Sequence, residues 1–317
     1  MTKKIVTVVG ATGKQGTGII AALPKDIYHI RGLTRNPGSA AATALSSQGV
    51  EVVKTDIGNL DSLEIAFSGS HIIFAVTDFY ESFEKYGPEK AMEIETQQGI
   101  NMAKAAAAVP TLEHYIWSTL PKSSGPFHVP HFEGKHRVDE YIRTDAALLA
   151  KTTFIMVCYY AENLALPSYR PYWIETAKKY VQFTTYGPAT SVPLIGDVTK
   201  NVTPFIKAIL DQPGKTKNGA MVIASSESVT AEDWVQAWAR AKGVQVQTVR
   251  ISRDDYDKLW PWPHWAEEFA KMFDFFENVP VQEWLVPGQQ VLTRNELGIT
   301  ELESLQEWAK RYELPSI

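Results

Sequence analysis

The run Ile5-Val6-Thr7-Val8-Val9 passes directly into Gly10-Ala11-Thr12-Gly13-Lys14-Gln15-Gly16, and the chain continues through Thr17, Gly18, Ile19, Ile20, Ala21 and Ala22 with helical character. No other segment limits the possible folds so strongly. The glycines stand in the order G-x-x-G-x-x-G, and glycine is needed where a turn is tight and where backbone must approach a ligand closely. The start of the following helix offers backbone N–H donors and the positive end of its dipole to an anion. A glycine-rich loop alone is a weak pattern, but between a β-run and a helix it reads as a cradle for a diphosphate. Gly10, Thr12, Gly13, Lys14, Gln15 and Gly16 are therefore the first candidate binding residues, for the pyrophosphate of a dinucleotide.

The N-terminal half goes on alternating short β-rich runs with longer helical patterns. Strands are expected at Ile5 to Val9, Tyr28 to Thr34, Val50 to Thr55, His71 to Val76, His114 to Ser118 and Thr153 to Val157, and the clearest helix at Pro88 to Ala108, ended by Pro110. Nearly continuous apolar content in these strands fits a sheet covered on both faces. The order predicts an α/β fold with a Rossmann-type doubly wound parallel sheet. After about Tyr160 the pattern loosens, with helices suggested around Val198 to Leu210, Ala231 to Ala241 and Pro263 to Phe276. We read residues 1–160 as the dinucleotide-binding domain, with 190–225 returning to it, and 161–317 as a smaller mixed α/β substrate-binding lobe. Trp260, Pro261, Trp262, Pro263 and Trp265 form an aromatic and proline cluster that either lines a cleft or packs under a loop.

The end of the second strand bears on the choice of cofactor. An NAD site usually places Asp or Glu there to bind the ribose hydroxyls, whereas this chain has Thr34-Arg35-Asn36. A guanidinium cannot accept from a diol but suits a 2′-phosphate, and no carboxylate stands beside Arg35 to repel one. NADP(H) is thus the expected cofactor, with Arg35 and Asn36 at its adenosine phosphate. Asp56 and Ile57 follow the third strand, where Asp56 faces the adenine edge or caps a helix.

Composition excludes several classes. Lys and Arg total 31 against 36 Asp and Glu, a net charge of -5 with no block of like charge, which disfavours nucleic acid as a partner. One cysteine, Cys158, permits no intrachain disulfide and suggests a reducing, cytoplasmic setting, with the thiol itself buried and structural. The apolar run at the start is too short for a signal-peptide core, and no stretch approaches the roughly 18 apolar residues of a membrane span. His114, His128, His131 and His136 lack metal-site spacing, so no metal is expected.

Several segments together resemble the NmrA-like family, an atypical branch of the short-chain dehydrogenase/reductases close to the isoflavone reductase-like proteins. They are the glycine loop, Leu33-Thr34-Arg35-Asn36, the strand-end run Phe74 to Glu81, His131-Phe132-Glu133-Gly134-Lys135 leading into Val138 to Ile142, Tyr159 to Leu164, and Ile195 to Thr199. The likeness spans roughly the first 210 residues. It implies that Thr77, with Asp78 and Phe79, borders the cofactor, that Ser118 and Thr119 lie near the nicotinamide, and that Asn163, with Tyr159 close by, sits at the nicotinamide or substrate. Ligands of open α/β sheets bind beyond the C-terminal ends of the strands, which supports the same region independently.

The wider superfamily uses Tyr-x-x-x-Lys. Here Lys135 takes the lysine's place and four residues earlier stands His131, on the same helix face. Histidine is a competent general acid, and Lys135 is expected to contact the cofactor or polarise a carbonyl. Tyr80, Tyr159 and Tyr160 are alternative donors. The leading expectation is an NADPH-dependent reductase of a carbonyl or activated double bond in a small organic substrate. The alternative is a non-catalytic NADP(H)-binding redox sensor acting through a protein partner, because the family also contains regulators and the tyrosine is absent.

Overall fold

A computed structural model describes residues 2–123 and 125–315. The apolar runs of the N-terminal half become strands β1 (Lys4–Val8), β2 (Tyr28–Thr34), β3 (Glu51–Lys54), β4 (Ile72–Ala75), β5 (His114–Thr119) and β6 (Thr152–Val157). Helices α1 (Lys14–Ala22), α2 (Ala40–Ser47), α3 (Leu60–Phe67), α4 (Phe79–Tyr86), α5 (Pro88–Ala107), α6 (Pro130–Thr144) and α7 (Ala146–Leu149) lie between them. The run Phe74 to Glu81 leaves β4 and turns at Asp78 into α4, a helix that the sequence reading did not name. The Asp78 carboxylate accepts from the Tyr80 N–H at 3.1 Å and so caps that helix.

The remaining chain forms β7 (Tyr159–Tyr160), β8 (Tyr172–Ile174), β9 (Lys179–Thr184), β10 (Ser191–Gly196), α8 (Val198–Asp211), α9 (Pro213–Thr216), β11 (Ala220–Ala224), β12 (Glu227–Thr230), α10 (Ala231–Lys242) and β13 (Val246–Arg250). After these come α11 (Arg253–Leu259), α12 (Pro263–Asn278), β14 (Val291–Leu292) and α13 (Leu305–Arg311). Eight strands make one sheet in the order β14-β11-β6-β5-β4-β1-β2-β3. Its pairings are parallel throughout. It therefore takes in β11 and β14, the latter from far down the segment read as the second lobe. Two smaller sheets, β12-β10-β7 and β13-β9-β8, hold the other strands.

The sheet is apolar on both faces because successive side chains point to opposite sides. Val6, Val8, Ile72, Phe74, Ile116 and Ile155 pack with Ile19 and Ile20 of α1 and Val202 and Phe205 of α8. Their neighbours Ile73, Ala75, Tyr115, Trp117 and Phe154 pack on the other side with Leu63 of α3, Met102 of α5 and Val138 of α6, and that core runs on into Trp234, Phe269 and Phe273. The chain reverses its direction of winding between β1 and β4, where a crevice opens beyond the strand ends, the usual place for a ligand in this architecture. Among the described residues no helix is long and apolar enough to cross a membrane.

Candidate functional site

A cavity of about 690 Å3 occupies that crevice. One end is the glycine loop. Gly10 has φ +65°, a left-handed conformation, and its carbonyl accepts from the Gly13 N–H at 2.9 Å. A Cβ on Gly16 would fall onto the Gly10 carbonyl oxygen and stand 2.8 Å from Ala11 Cα, so loop and helix meet closely only because the side chain is missing. Gly13 starts α1 without a capping side chain, unlike Ser39, Asn59 and Asp78 ahead of α2, α3 and α4. The first-turn N–H groups of α1 are thereby left to an outside acceptor.

Gln15 fastens the loop to neighbouring strands. Its amide donates to the Tyr160 hydroxyl at 2.8 Å, and its carbonyl accepts from Ser118 Oγ at 2.9 Å. Burial pushes the Tyr160 hydroxyl up to about 12. Lys14 reaches over the loop, 3.3 Å from the Glu162 carboxylate. Thr12 also borders the cavity.

At the end beside β2, where the sequence reading expects the adenosine, the cavity is lined by Thr34, Arg35, Thr55, Ile57 and Val76. Arg35 does have a carboxylate beside it, contrary to expectation: its guanidinium is ion-paired with Glu81 of α4. Sequence proximity could not show this, because the two lie on elements far apart in the chain. Asn36 and Asp56 do not line the cavity. The Asn36 side chain accepts from the Gly38 N–H at 3.2 Å, and Asp56 accepts from the Gly58 N–H at 2.9 Å, both as local turns. The cap of α3 is Asn59 rather than Asp56.

The floor holds a buried polar cluster. Lys135 Nζ donates to Thr77 Oγ1 at 2.6 Å and lies 3.2 Å from Glu95 Oε1, while Thr77 Oγ1 donates to the same carboxylate oxygen at 2.7 Å. The ammonium also lies 5.3 Å from the Trp117 ring centroid. Thr119 borders the cavity, but its hydroxyl points beneath it, donating to Asp139 at 2.8 Å; the Trp117 indole donates to the other oxygen at 2.7 Å. Burial lifts the Asp139 carboxyl to about 7 in spite of these two bonds. Asp78 and Phe79 line the cavity beside Thr77.

His131 sits one helical turn before Lys135. Its Nδ1 lies 2.6 Å from Glu268 Oε1, and the same oxygen accepts from the His131 backbone N–H at 3.2 Å. Glu268, on α12, thus holds the ring and satisfies a free N–H at the start of α6. His131 Nε2 makes no hydrogen bond with the described residues, and the ring borders the cavity among Phe79, Tyr80 and Phe132.

Beyond it an apolar wall rises. Tyr80 stacks on Trp265 with centroids 5.0 Å apart and planes at 10°, and Phe269, Met272, Phe276 and Trp284 continue the surface. Of the tryptophan and proline cluster, Trp265 lines the cavity, Trp262 is exposed, and Trp260 packs against Tyr172 and Tyr256. Tyr159, Asn163 and Cys158 border the cavity as well. Burial raises the Tyr80 and Tyr159 hydroxyls well above the ordinary phenol range and the Cys158 thiol to about 12, so these groups hold their protons.

Glu81, Glu95 and Glu268 escaped the sequence reading. Glu95 carried a signal: it stands on the buried stripe of α5 with Ala91, Met92, Gly99 and Met102, where a carboxylate needs a partner. Nothing in the sequence pairs Glu268 with His131.

The NmrA-like family matches this chain over residues 2–309. The NmrA-like family domain-containing oxidoreductase hkm9 of Aspergillus hancockii is 26% identical over 76% of this chain and 73% of its own length. Among solved structures, NmrA, a negative transcriptional regulator in complex with NADP, superposes with a TM-score of 0.76 at 21% identity, covering 98% of this chain and 95% of that one. The Citrobacter sp. triphenylmethane reductase complexed with NADP(H) gives 0.70 at 20% identity, covering 96% and 99%. With a match across nearly its whole length, the chain belongs to the NmrA-like family.

Proposed function

We propose that this chain is an NADPH-dependent reductase of a carbonyl or activated double bond in a small organic substrate. The observation that carries the reading is the continuity of one cavity, with a glycine loop and Arg35 at one end, Lys135 in its floor, and His131 below an apolar aromatic wall at the other. The uncapped first turn of α1 fits a diphosphate, and Arg35 fits a 2′-phosphate. Relatives named as oxidoreductases support the reaction class, and neighbours solved with NADP, NADP(H) or NAD support a nicotinamide dinucleotide as cofactor.

When bound, a reduced nicotinamide supplies the hydride. The chain does the rest. Gln15 and Ser118 hold the loop against β5, and Lys135, fixed by Glu95 and Thr77, places a positive charge under the site. The aromatic wall excludes water and orients an apolar substrate. His131, oriented by Glu268 through Nδ1–H, presents Nε2 to the cavity; entering the step as the imidazolium it gives the Nε2 proton to the reduced atom and is left neutral with its Nδ1 proton on the Glu268 bond. In this reading residues 1–160, with 190–225 returning to them, hold the dinucleotide, and 161–317, through α12, supply the substrate wall beside Tyr80. Purified protein mixed with NADPH and a panel of carbonyl and enone compounds should consume the reduced cofactor with at least one of them. Binding of NADPH without consumption across the panel would sink the enzymatic reading.

The second reading, an NADP(H)-responsive regulator, is favoured by two features: the Lys135 ammonium is engaged by Glu95 and Thr77, and no tyrosine stands at position 131. Relatives include the nitrogen metabolite repression protein of Emericella nidulans. A sensor must bind oxidised and reduced cofactor unequally, because equal affinity shifts nothing. Equal affinities by calorimetry would eliminate it.

A further inference from the structure

The pairing of Arg35 with Glu81 bears on cofactor choice. We propose that Glu81 sets how strongly the chain prefers the 2′-phosphorylated dinucleotide, by competing with the phosphate for Arg35 and by accepting from the ribose hydroxyls when no phosphate is present. The inference rests on the reading that the cavity takes a dinucleotide.

Both side chains line the cavity, and each is more than half exposed, Arg35 by 58% and Glu81 by 51%. An ion pair so exposed is weakly held, so a phosphate can take the guanidinium from it. Glu81 does not leave with it. It stands in the first turn of α4, where the helix dipole favours a carboxylate, and α4 is anchored by buried Phe79 and Phe83 and by the stacking of Tyr80 on Trp265. The other nearby carboxylate, Asp78, has one oxygen engaged as the helix cap. A phosphate bound by Arg35 therefore keeps Glu81 as an anionic neighbour, which costs affinity. With an unphosphorylated ribose the sign reverses, since a carboxylate accepts from a diol and a guanidinium cannot. One residue pair thus narrows the gap between the two cofactors, where Arg35 alone would widen it.

The test is calorimetric titration of the full chain with NADP+ and NAD+ at fixed low ionic strength. Glu81→Gln should raise the ratio of the two affinities, NADP+ over NAD+, by roughly tenfold, the size expected of one like-charge contact in near-aqueous surroundings. Glu81→Asp, which keeps the charge, should stay near the parent ratio, and added salt should shrink the difference between the parent and Glu81→Gln. A ratio unchanged within about twofold in Glu81→Gln overturns the role of Glu81 while leaving the dinucleotide reading intact. Binding of neither dinucleotide by the parent overturns both.

Discussion

His131 Nδ1 and Glu268 Oε1 lie 2.6 Å apart across 137 residues of chain. Because a carboxylate only accepts, the bond puts the Nδ1 proton toward Glu268 and leaves Nε2 as the nitrogen toward the cavity. The pair is buried, with side chains 5% and 1% exposed, so the ring has little freedom to turn.

Replacing His131 by alanine should lower turnover of NADPH by about 10²–10⁴, the usual contribution of a positioned general acid. The dissociation constant for NADPH should move little, since the glycine loop and Arg35 are untouched. Glu268→Gln, which keeps an acceptor but loses the charge, should fall between the parent and His131→Ala. Steady-state rates together with calorimetry check this, and turnover at the parent rate in His131→Ala would remove the histidine from the mechanism.

Lys135 and Glu95 are each buried and depend on each other. Lys135→Met should destabilise the protein by about 3–5 kcal/mol, because it leaves a carboxylate buried without its cation. The double variant Lys135→Met with Glu95→Gln should recover most of that loss. Urea unfolding midpoints decide the matter; a single variant as stable as the parent would show that the cluster adapts in some other way.

Asp139 should make stability depend on pH. Its carboxyl is raised to about 7 by burial, above the unfolded value of about 3.9. The folded state therefore holds this proton more tightly than the unfolded chain does. The contribution is fully present below about pH 4 and is lost as pH rises through about 7, amounting to a few kcal/mol. Asp139→Asn, which stays neutral and retains an acceptor for the Trp117 indole, should flatten that part of the profile. Thermal unfolding of both proteins from pH 4 to 8 tests it, and parallel curves would contradict the assignment.

Two glycines of α1 should separate folding from binding. Gly16→Ala places a Cβ against the loop's own backbone, and dinucleotide affinity should drop at least about tenfold. Gly18→Ala meets the Thr199 carbonyl and Val202 Cγ1 at 2.5 Å in the packing of α1 on α8, so it should cost about 1–3 kcal/mol of stability with binding retained. Equal effects of the two on affinity would show that the loop and the helix contact are one unit.

What could be read in the chain alone was local or periodic. The glycine loop opens α1, and Phe74 to Val76 leads to the cavity floor, because strand runs and turn residues act on their immediate neighbours. The site of Arg35 at the end of β2 followed in the same way. Helix α4 went unnamed because it is short, and Asp78, which caps it, stands directly after the strand end.

The sequence by itself determined a parallel sheet, a glycine loop on its first turn and a cation at the second strand's end, since each depends on residues adjacent in the chain. Only the tertiary structure decided what each charge meets: Glu81 against Arg35, Glu95 under Lys135, Glu268 behind His131. The reason is physical. A carboxylate finds its partner by distance through folded space, and the low-dielectric interior that makes such a pairing matter exists only after the sheet and α12 have closed around it.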